Sequence, residues 1–493
     1  MYLNRTLGAV FALCAVATAV PARDLVQVFD DALKNDPQIR AAHANLLAQR
    51  ESRPQALAAL LPQLEGTAAI TQDRMTSQQD TVAMNANNES IVVPQTTSFS
   101  TRTQQWSITL QQSVFSWANL MSLRAASRVV AQAEVAYQAA EQNLCLRVAQ
   151  AYFNVLAAQD GLAAQQASLE AISRQLEQAR QRFEVGQVAI TDVQEAQAAH
   201  DTAAAAVIAA KRTLATTEDQ LQEITHQRYD SLAKPGTEMP LLMPQPADEK
   251  SWVAASLDQN LDLLSTQLAA DIARDNVKVA FAGHLPTLSL VASNTSSNAT
   301  MDETLTSQGM SQSFANLANN NRDRQVSLQL TVPLFTGGLT QSRVRQSQYL
   351  WLAAKEQVIQ ASRATERQAR DAYLGVISGI ARVKALRQAL ESSKTALQAT
   401  EAGYELGART AVDVLNSRRI LVQAQTDYSG SRYDYILSLI QLRLAAGTLN
   451  LARLAEINRW LVAAVASSPA ERTPQSLAPE TPSPGARAPT TPR

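Results

Sequence analysis

Cysteine is nearly missing from this chain, with two in 493 residues. Cys14 falls in an apolar leader, so Cys145 alone remains after it and no internal disulfide is expected. Aromatic residues make up only 5% of the chain, which suits long, closely packed, alanine-rich helices better than a compact enzyme core. Neither sign of charge dominates. Lys and Arg number 43 against 44 Asp and Glu, a net charge of −1, which excludes the concentrated basic face of a nucleic-acid binder. His43, His200, His226 and His284 are scattered without metal-ligand spacing. No Gly-Lys-Ser/Thr phosphate cradle occurs, so energy for any work must come from a partner. No catalytic, metal or cofactor site is expected. Beyond the leader, no run approaches the ~20 apolar residues of a membrane-spanning helix.

Residues 1–22 read as a signal peptide, with Arg5, an apolar run from Leu7 to Val20, and small residues before a cut after Ala22. Leu13 is too bulky for the position before a lipidated cysteine. An exported chain without a spanning helix is either soluble or inserted as a β-barrel.

What the chain does have is an internal repeat. FEVGQVAITDV at 183–193 returns as YELGARTAVDV at 404–414. The heptad positions Leu162, Leu169, Leu176 and Phe183 match Val383, Leu390, Leu397 and Tyr404. After the turn, Val193, Val207, Leu214 and Leu221 match Val414, Tyr428, Tyr435 and Leu442. This spacing predicts long helices over about 118–183 and 340–404 that return over 190–226 and 411–446, each pair turning at Gly186 or Gly407. A shorter helix is expected over 25–60, with Asn35-Asp36-Pro37 as a start signal, and its second copy over 249–284. Leu61-Pro62 and Leu285-Pro286 end these helices.

Strand periodicity follows each of those prolines. Leu64, Gly66, Ala68 and Ile70 alternate with polar residues, as do Leu288, Leu290 and Ala292. Further strands are expected at 105–115 and 325–335, separated from the first by polar loops at about 75–100 and 296–321. Each half thus supplies one two-stranded hairpin. Four strands cannot close a barrel on their own, whereas several chains contributing to one barrel can.

Gly186, Asp192, Gly407, Arg409 and Asp413, with GHLPTL at 283–288 and AGTLN at 446–450, resemble the outer membrane factor family. These are the TolC-type outer-membrane channels of Gram-negative efflux and type I secretion systems. The similarity covers roughly 23–460. It implies an α+β membrane protein, a homotrimer with a twelve-stranded β-barrel in outer-membrane lipid and a coiled-coil tunnel through the periplasm. A periplasmic adaptor (membrane fusion protein) and an inner-membrane RND or ABC transporter are the implied partners.

The expected divisions are a first repeat at 23–245, a second at 246–446, an equatorial segment at 447–468 and a disordered Pro-rich tail at 469–493. The resemblance also implies a gate. Tyr404 and Arg409 would bond to Asp192, Arg432 would reach Thr191 or Asp192, and Glu401 would pair with Gln175. Asp413 would ring the pore, with Asn416 where a second aspartate is familiar. Gly186, Gln187 and Gly407 would form the adaptor-contacting tips, Gln187 replacing a familiar leucine. The alternative is a soluble periplasmic coiled-coil adaptor. Adaptors usually carry one helical hairpin between β-rich domains, not two alternating with strand pairs.

Overall fold

The computed structural model describes residues 22–236, 239–307 and 310–462. The expected tail and all but the last residue of the expected signal peptide lie outside the described residues. The expected 25–60 helix is three pieces, α1 (Leu25–Asn35), α2 (Pro37–Arg50) and α3 (Ser52–Ala58). The second break is at Glu51, and the first is at Asp36, which leaves helical geometry to cap α2 through the backbone amides of Gln38 and Ile39. Its second copy breaks in the same way: α6 (Glu249–Gln259) and α7 (Leu261–Phe281) flank Asn260, which caps α7 through Leu263 N–H at 3.0 Å. A short side-chain acceptor at the N-cap competes with helix continuation at both sites.

The strands are longer than the sequence predicts. β1 (Gln63–Met84), β2 (Ser90–Phe115), β4 (Thr287–Ser307) and β5 (Met310–Thr331) run through most of the segments read as loops. Ser, Thr, Asn and Gln there lack an apolar face, so alternation is invisible, yet backbone pairing continues through Met84 opposite Ser90. Some of these hydroxyls bond across the strands, as Thr306 does to Ser311 at 2.9 Å.

All four strands form one antiparallel sheet in the order β1-β2-β4-β5. Directly paired residues share a face, so Leu64, Leu110, Ala292 and Val326 form one row. Neighbouring rows add Gly66 with Ile108, Ala68 with Trp106, Leu290 with Leu328, and Leu288 with Leu330. The apolar stretch slides along the strands by about five residues from β1 to β5. At ~3.3 Å per residue and ~4.8 Å between strands, a level apolar belt therefore crosses strands tilted by roughly 45°. Membrane-spanning strands need only about 9–11 residues. The outer part of each hairpin therefore projects beyond the belt.

Each strand pair runs directly into a long helix. α4 (Trp117–Glu184, 68 residues) returns through α5 (Ile190–Thr225), and α8 (Leu339–Glu405, 67 residues) through α9 (Ala411–Ala445). Each long helix is a rod of about 100 Å at ~1.5 Å per residue. α5 packs on α4, α8 on α9, and α4 on α9, which leaves α5 and α8 on the two flanks of the subunit.

The main core lies where the rods pass the short helices and the segment after α5. There β3 (Lys234–Pro235) pairs with β6 (Leu461–Val462), beyond α10 (Leu451–Asn458). Tyr152, Phe153, Tyr435, Ile436, Ile440 and Leu454 are fully buried. Tyrosine hydroxyls fasten the rods here: Tyr152 donates to Ala233 O at 2.6 Å and Tyr435 to Leu242 O at 2.8 Å in the segment after α5, and Tyr433 of α9 donates to Asp160 Oδ2 of α4 at 2.6 Å. Cys145 is buried here too, its thiol pushed up to about 12 mainly by desolvation, which makes it inert.

α9 ends at Gly447, whose φ of +70° is left-handed. A Cβ there would sit 2.0 Å from Gln259 O. The matching end of α5 uses His226 in the same conformation, at φ +57°. Gly447→Ala should therefore destabilise the protein by on the order of 3 kcal/mol. His226→Gly should be neutral or mildly stabilising, because it relieves a left-handed side chain. Thermal unfolding of the purified full chain measures both.

Candidate functional site

The free ends of the two hairpins are built alike. α4 closes with Gly186 N–H donating to Phe183 O at 2.9 Å and Gln187 N–H to Arg182 O at 2.8 Å. α8 closes with Gly407 N–H to Tyr404 O at 3.0 Å and Ala408 N–H to Gly403 O at 2.8 Å. Both glycines sit at φ +75°, the left-handed position that ends a helix while satisfying its last carbonyls. Gly186, Gln187 and Gly407 are thus at the tips, as the repeat predicts. The repeat alone does not single out the residues just before each glycine. Val185 is 68% exposed and Leu406 86%, so each tip presents an apolar side chain. A Val-Gly or Leu-Gly pair at a predicted helix end is the signal that could have found them.

The two tips differ where chemistry is concerned. Thr410 caps α9 in a reciprocal box: its backbone N–H donates to Asp413 Oδ2 at 2.9 Å, and Asp413 N–H donates to Thr410 Oγ1 at 3.2 Å. Those bonds to Thr410, and then the charge of Arg409, hold the Asp413 carboxyl below the usual carboxylate range. The cap is therefore intact at neutral pH and is lost only as pH falls through that depressed value. Asp413 Oδ1 takes no part in the box.

At the first tip the cap position is Ala189, which has no hydroxyl to offer. Asp192 sits in the first turn of α5 beside Thr191, and among the described residues no group donates to its side chain. The bonds expected from Tyr404 and Arg409 to Asp192 are not made within one chain. Instead the Arg182 guanidinium lies over the Tyr404 ring, 5.5 Å from its centroid. Gly403 gives the Arg409 stem its room, since a Cβ there would come within 2.9 Å of Arg409 Cγ.

The other two expected gate contacts are not made within the chain either. Arg432 lies far up α9, about 30 Å from the tip at ~1.5 Å per residue, beyond the reach of Thr191 or Asp192. It donates to the Pro235 and Gly236 carbonyls and belongs to the equatorial core. Glu401 bonds to Arg418 across α8 and α9, next to a Ser417–Thr400 hydroxyl bond of 3.2 Å. A cationic guanidinium outcompetes a neutral amide for a carboxylate. Gln175 remains on α4, with both polar side-chain atoms buried and unpaired within the chain. Asn416 lies one turn beyond Asp413, exposed, at the edge of a cavity of about 500 Å³ that also touches Arg419 and Ser168.

A family model described as "Outer membrane efflux protein" matches residues 28–225 and 252–448, one segment in each repeat. The chain is 37% identical over 450 residues to outer membrane protein TolC of Vibrio cholerae, covering 91% of this chain and 96% of that protein. It is 28% identical to the alkaline protease secretion protein AprF of Pseudomonas aeruginosa, covering 86% and 84%. The fold superposes on the crystal structure of the Campylobacter jejuni CmeC outer membrane channel with a TM-score of 0.68 at 17% identity, covering 88% of this chain and 89% of that one. Among the described residues no helix is long and apolar enough to cross a membrane, and the apolar-belted sheet takes that place. With the repeat, the four-stranded sheet and the paired rods, this chain belongs to the outer membrane efflux protein family and is a subunit of an outer-membrane exit duct.

Proposed function

We propose that three copies of this chain close one twelve-stranded barrel in the outer membrane and continue it as a helical tunnel into the periplasm. The duct passes drugs, small molecules or proteins outward from a periplasmic adaptor and an inner-membrane RND or ABC transporter. One observation carries this reading. A sheet with an apolar face and two unpaired edges feeds directly into ~100 Å rods. The polar face of that sheet, Glu65, Thr67, Ser107, Thr109 and Ser293 among it, then lines a wet conduit. A soluble adaptor has no use for a belt in which Leu64, Leu328 and Leu330 are each at least 63% exposed.

The periplasmic end is the gate. α5 and α8 lie on opposite flanks, so Asp192 and Thr191 of one subunit face Tyr404 and Arg409 of the next. Asp192 lacks a capping partner, and a guanidinium fork suits a carboxylate. A few partly exposed bonds of about 1 kcal/mol each hold the mouth shut yet yield to a docking partner. Glu401 and Arg418 stiffen the second hairpin behind this latch. Val185 and Leu406, beside Gly186, Gln187 and Gly407, supply the apolar contact an adaptor needs. Asp413, through its uncommitted oxygen, and Asn416 face the axis as the constriction, with one carboxylate per subunit.

Replacing Tyr404 with Phe and Arg409 with Ser should raise single-channel conductance in planar bilayers. Each lost bond of about 1 kcal/mol shifts the closed–open balance roughly five-fold. Arg432→Ser is the control: it should lower thermal stability and leave conductance unchanged. Equal conductance in wild type and the double variant would remove the latch. Asn416→Asp should strengthen block by trivalent cations added on the tip side, and an unaltered inhibition curve contradicts a pore-facing Asn416.

A further inference from the structure

The junction between sheet and rods carries an ionic cluster that neither the gate nor the duct uses. α4 starts at Trp117, two residues after β2 ends at Phe115, and α7 leads through Ala282–His284 into β4. Trp117 and the end of α7 are therefore at the inner boundary of the apolar belt. A cavity of about 560 Å³ opens there, lined by Trp117, Val277, Phe281, Leu285 and Val344, with Lys278 at its side. α7 is flanked by α4 and α8 of its own chain, so the cavity is complete within one subunit.

Next to the cavity, cations outnumber anions. Asp275 is fully buried and meets Lys278 at 3.1 Å, Arg128 at 3.2 Å and Arg124 at 3.5 Å. Asp271 meets Arg128 at 3.0 Å and Arg274 at 3.5 Å. Four cations thus share two carboxylates. An interhelical ion pair needs no such excess, and the surplus charge is the accessible part: the Arg124 side chain is 53% exposed and Lys278 40%. Lys278 belongs to both the cluster and the cavity. The first repeat keeps only part of this, with Arg50 and Glu51 in place of Arg274 and Asp275 and an Arg50–Glu134 pair at 3.1 Å, but Leu47, Pro54 and Leu57 in place of Asp271, Lys278 and Phe281. The duplicated architecture alone therefore does not require the cluster.

We propose that this junction binds an anionic glycerophospholipid of the periplasmic leaflet, with its phosphate on Arg124 and Lys278 and an acyl chain in the Trp117–Phe281 cavity. Charge complementarity and position both select this occupant. A basic side chain beside an apolar slot matches a molecule that is anionic at one end and hydrocarbon at the other. A cavity lined by Trp, Phe, Leu and Val continues the lipid-facing side of the strands, whereas the lumenal side is polar. Asp275 holds both Lys278 and Arg124, so the lipid engages cations that are already ordered. The inference rests on the membrane placement of the sheet and is independent of the gate.

The test uses the purified full chain in detergent, with native mass spectrometry and thermal unfolding in added phosphatidylglycerol, phosphatidylethanolamine or inorganic phosphate. Phosphatidylglycerol should give up to one retained adduct per subunit and raise the unfolding midpoint. Phosphatidylethanolamine should do so at roughly ten-fold higher concentration, and phosphate alone should do neither. Arg124→Gln with Lys278→Met should abolish the preference between the two lipids and leave bilayer conductance unchanged. Should that variant fail to fold, Phe281→Ser, at a half-exposed position, should weaken retention of both lipids. Equal retention of the two lipids by wild type overturns the proposal. So does a midpoint shift reproduced by phosphate alone, which marks a bare anion site. Loss of lipid preference with normal conductance separates this site from the duct itself.

Discussion

Everything in this molecule depends on two unpaired strand edges. β1 and β5 each expose a ladder 22 residues long. An open edge in hydrocarbon leaves backbone N–H and C=O groups without partners, at several kcal/mol each. Such an edge in water is a template for aggregation. Pairing with another copy removes both problems, and with four strands per chain the ring closes only when several chains contribute. The long rods follow from the same step, because each is a direct continuation of a barrel strand through Phe115-Ser116-Trp117 or the turn at Gly337-Gly338. The barrel therefore sets the radius and the number of helices that must pack beneath it.

The duplication supplies two hairpins of one design, and function resides in their differences. Both tips turn on a left-handed glycine with the same pair of carbonyl-satisfying bonds. Thr410 ties down Asp413 in the second copy, whereas Ala189 leaves Asp192 uncommitted in the first. Gly403 clears a path for Arg409 where the first copy carries Arg182. At the other end, Gly447 fits against the backbone of Gln259 where no side chain can go, and His226 holds the matching place with a side chain. In the proposed gate, the differences at the tips are what give two hairpins of one design a preference for closed over open.

The sequence showed the rods almost to the residue, because heptads and the Gly186 and Gly407 turns are local signals of strong period. The apolar stretch of each strand was legible too, except that β5 ends at Thr331, short of the expected 335, just before Pro333, which cannot donate to the ladder. The outer strands were not, since Thr, Ser, Asn and Gln on both faces erase the alternation that marks a strand. Their order is held by the register begun inside the belt. The helix breaks at Asp36 and Asn260 depend on a cap that competes with a plausible helix, and Asn35-Asp36-Pro37 revealed only one of them. At the site, tip residues set by the repeat were found where expected. Arg432 was misplaced because its partners, the Pro235 and Gly236 carbonyls, are fixed by packing along the rods, and the same packing gives Glu401 a partner within its chain, Arg418, that spacing does not encode.

Closure of the strand edges between copies can be read by crosslinking. The described chain has a single cysteine, Cys145, which is buried, so it provides a quiet background. A cysteine at Ala69 of β1, combined in turn with one at each position from Gln325 to Gln329 of β5, samples the join between subunits under mild oxidation in membranes. Closure predicts that at least one pairing gives a covalent trimer and nothing larger. Monomer at every position, or an open-ended ladder beyond the trimer, would contradict it.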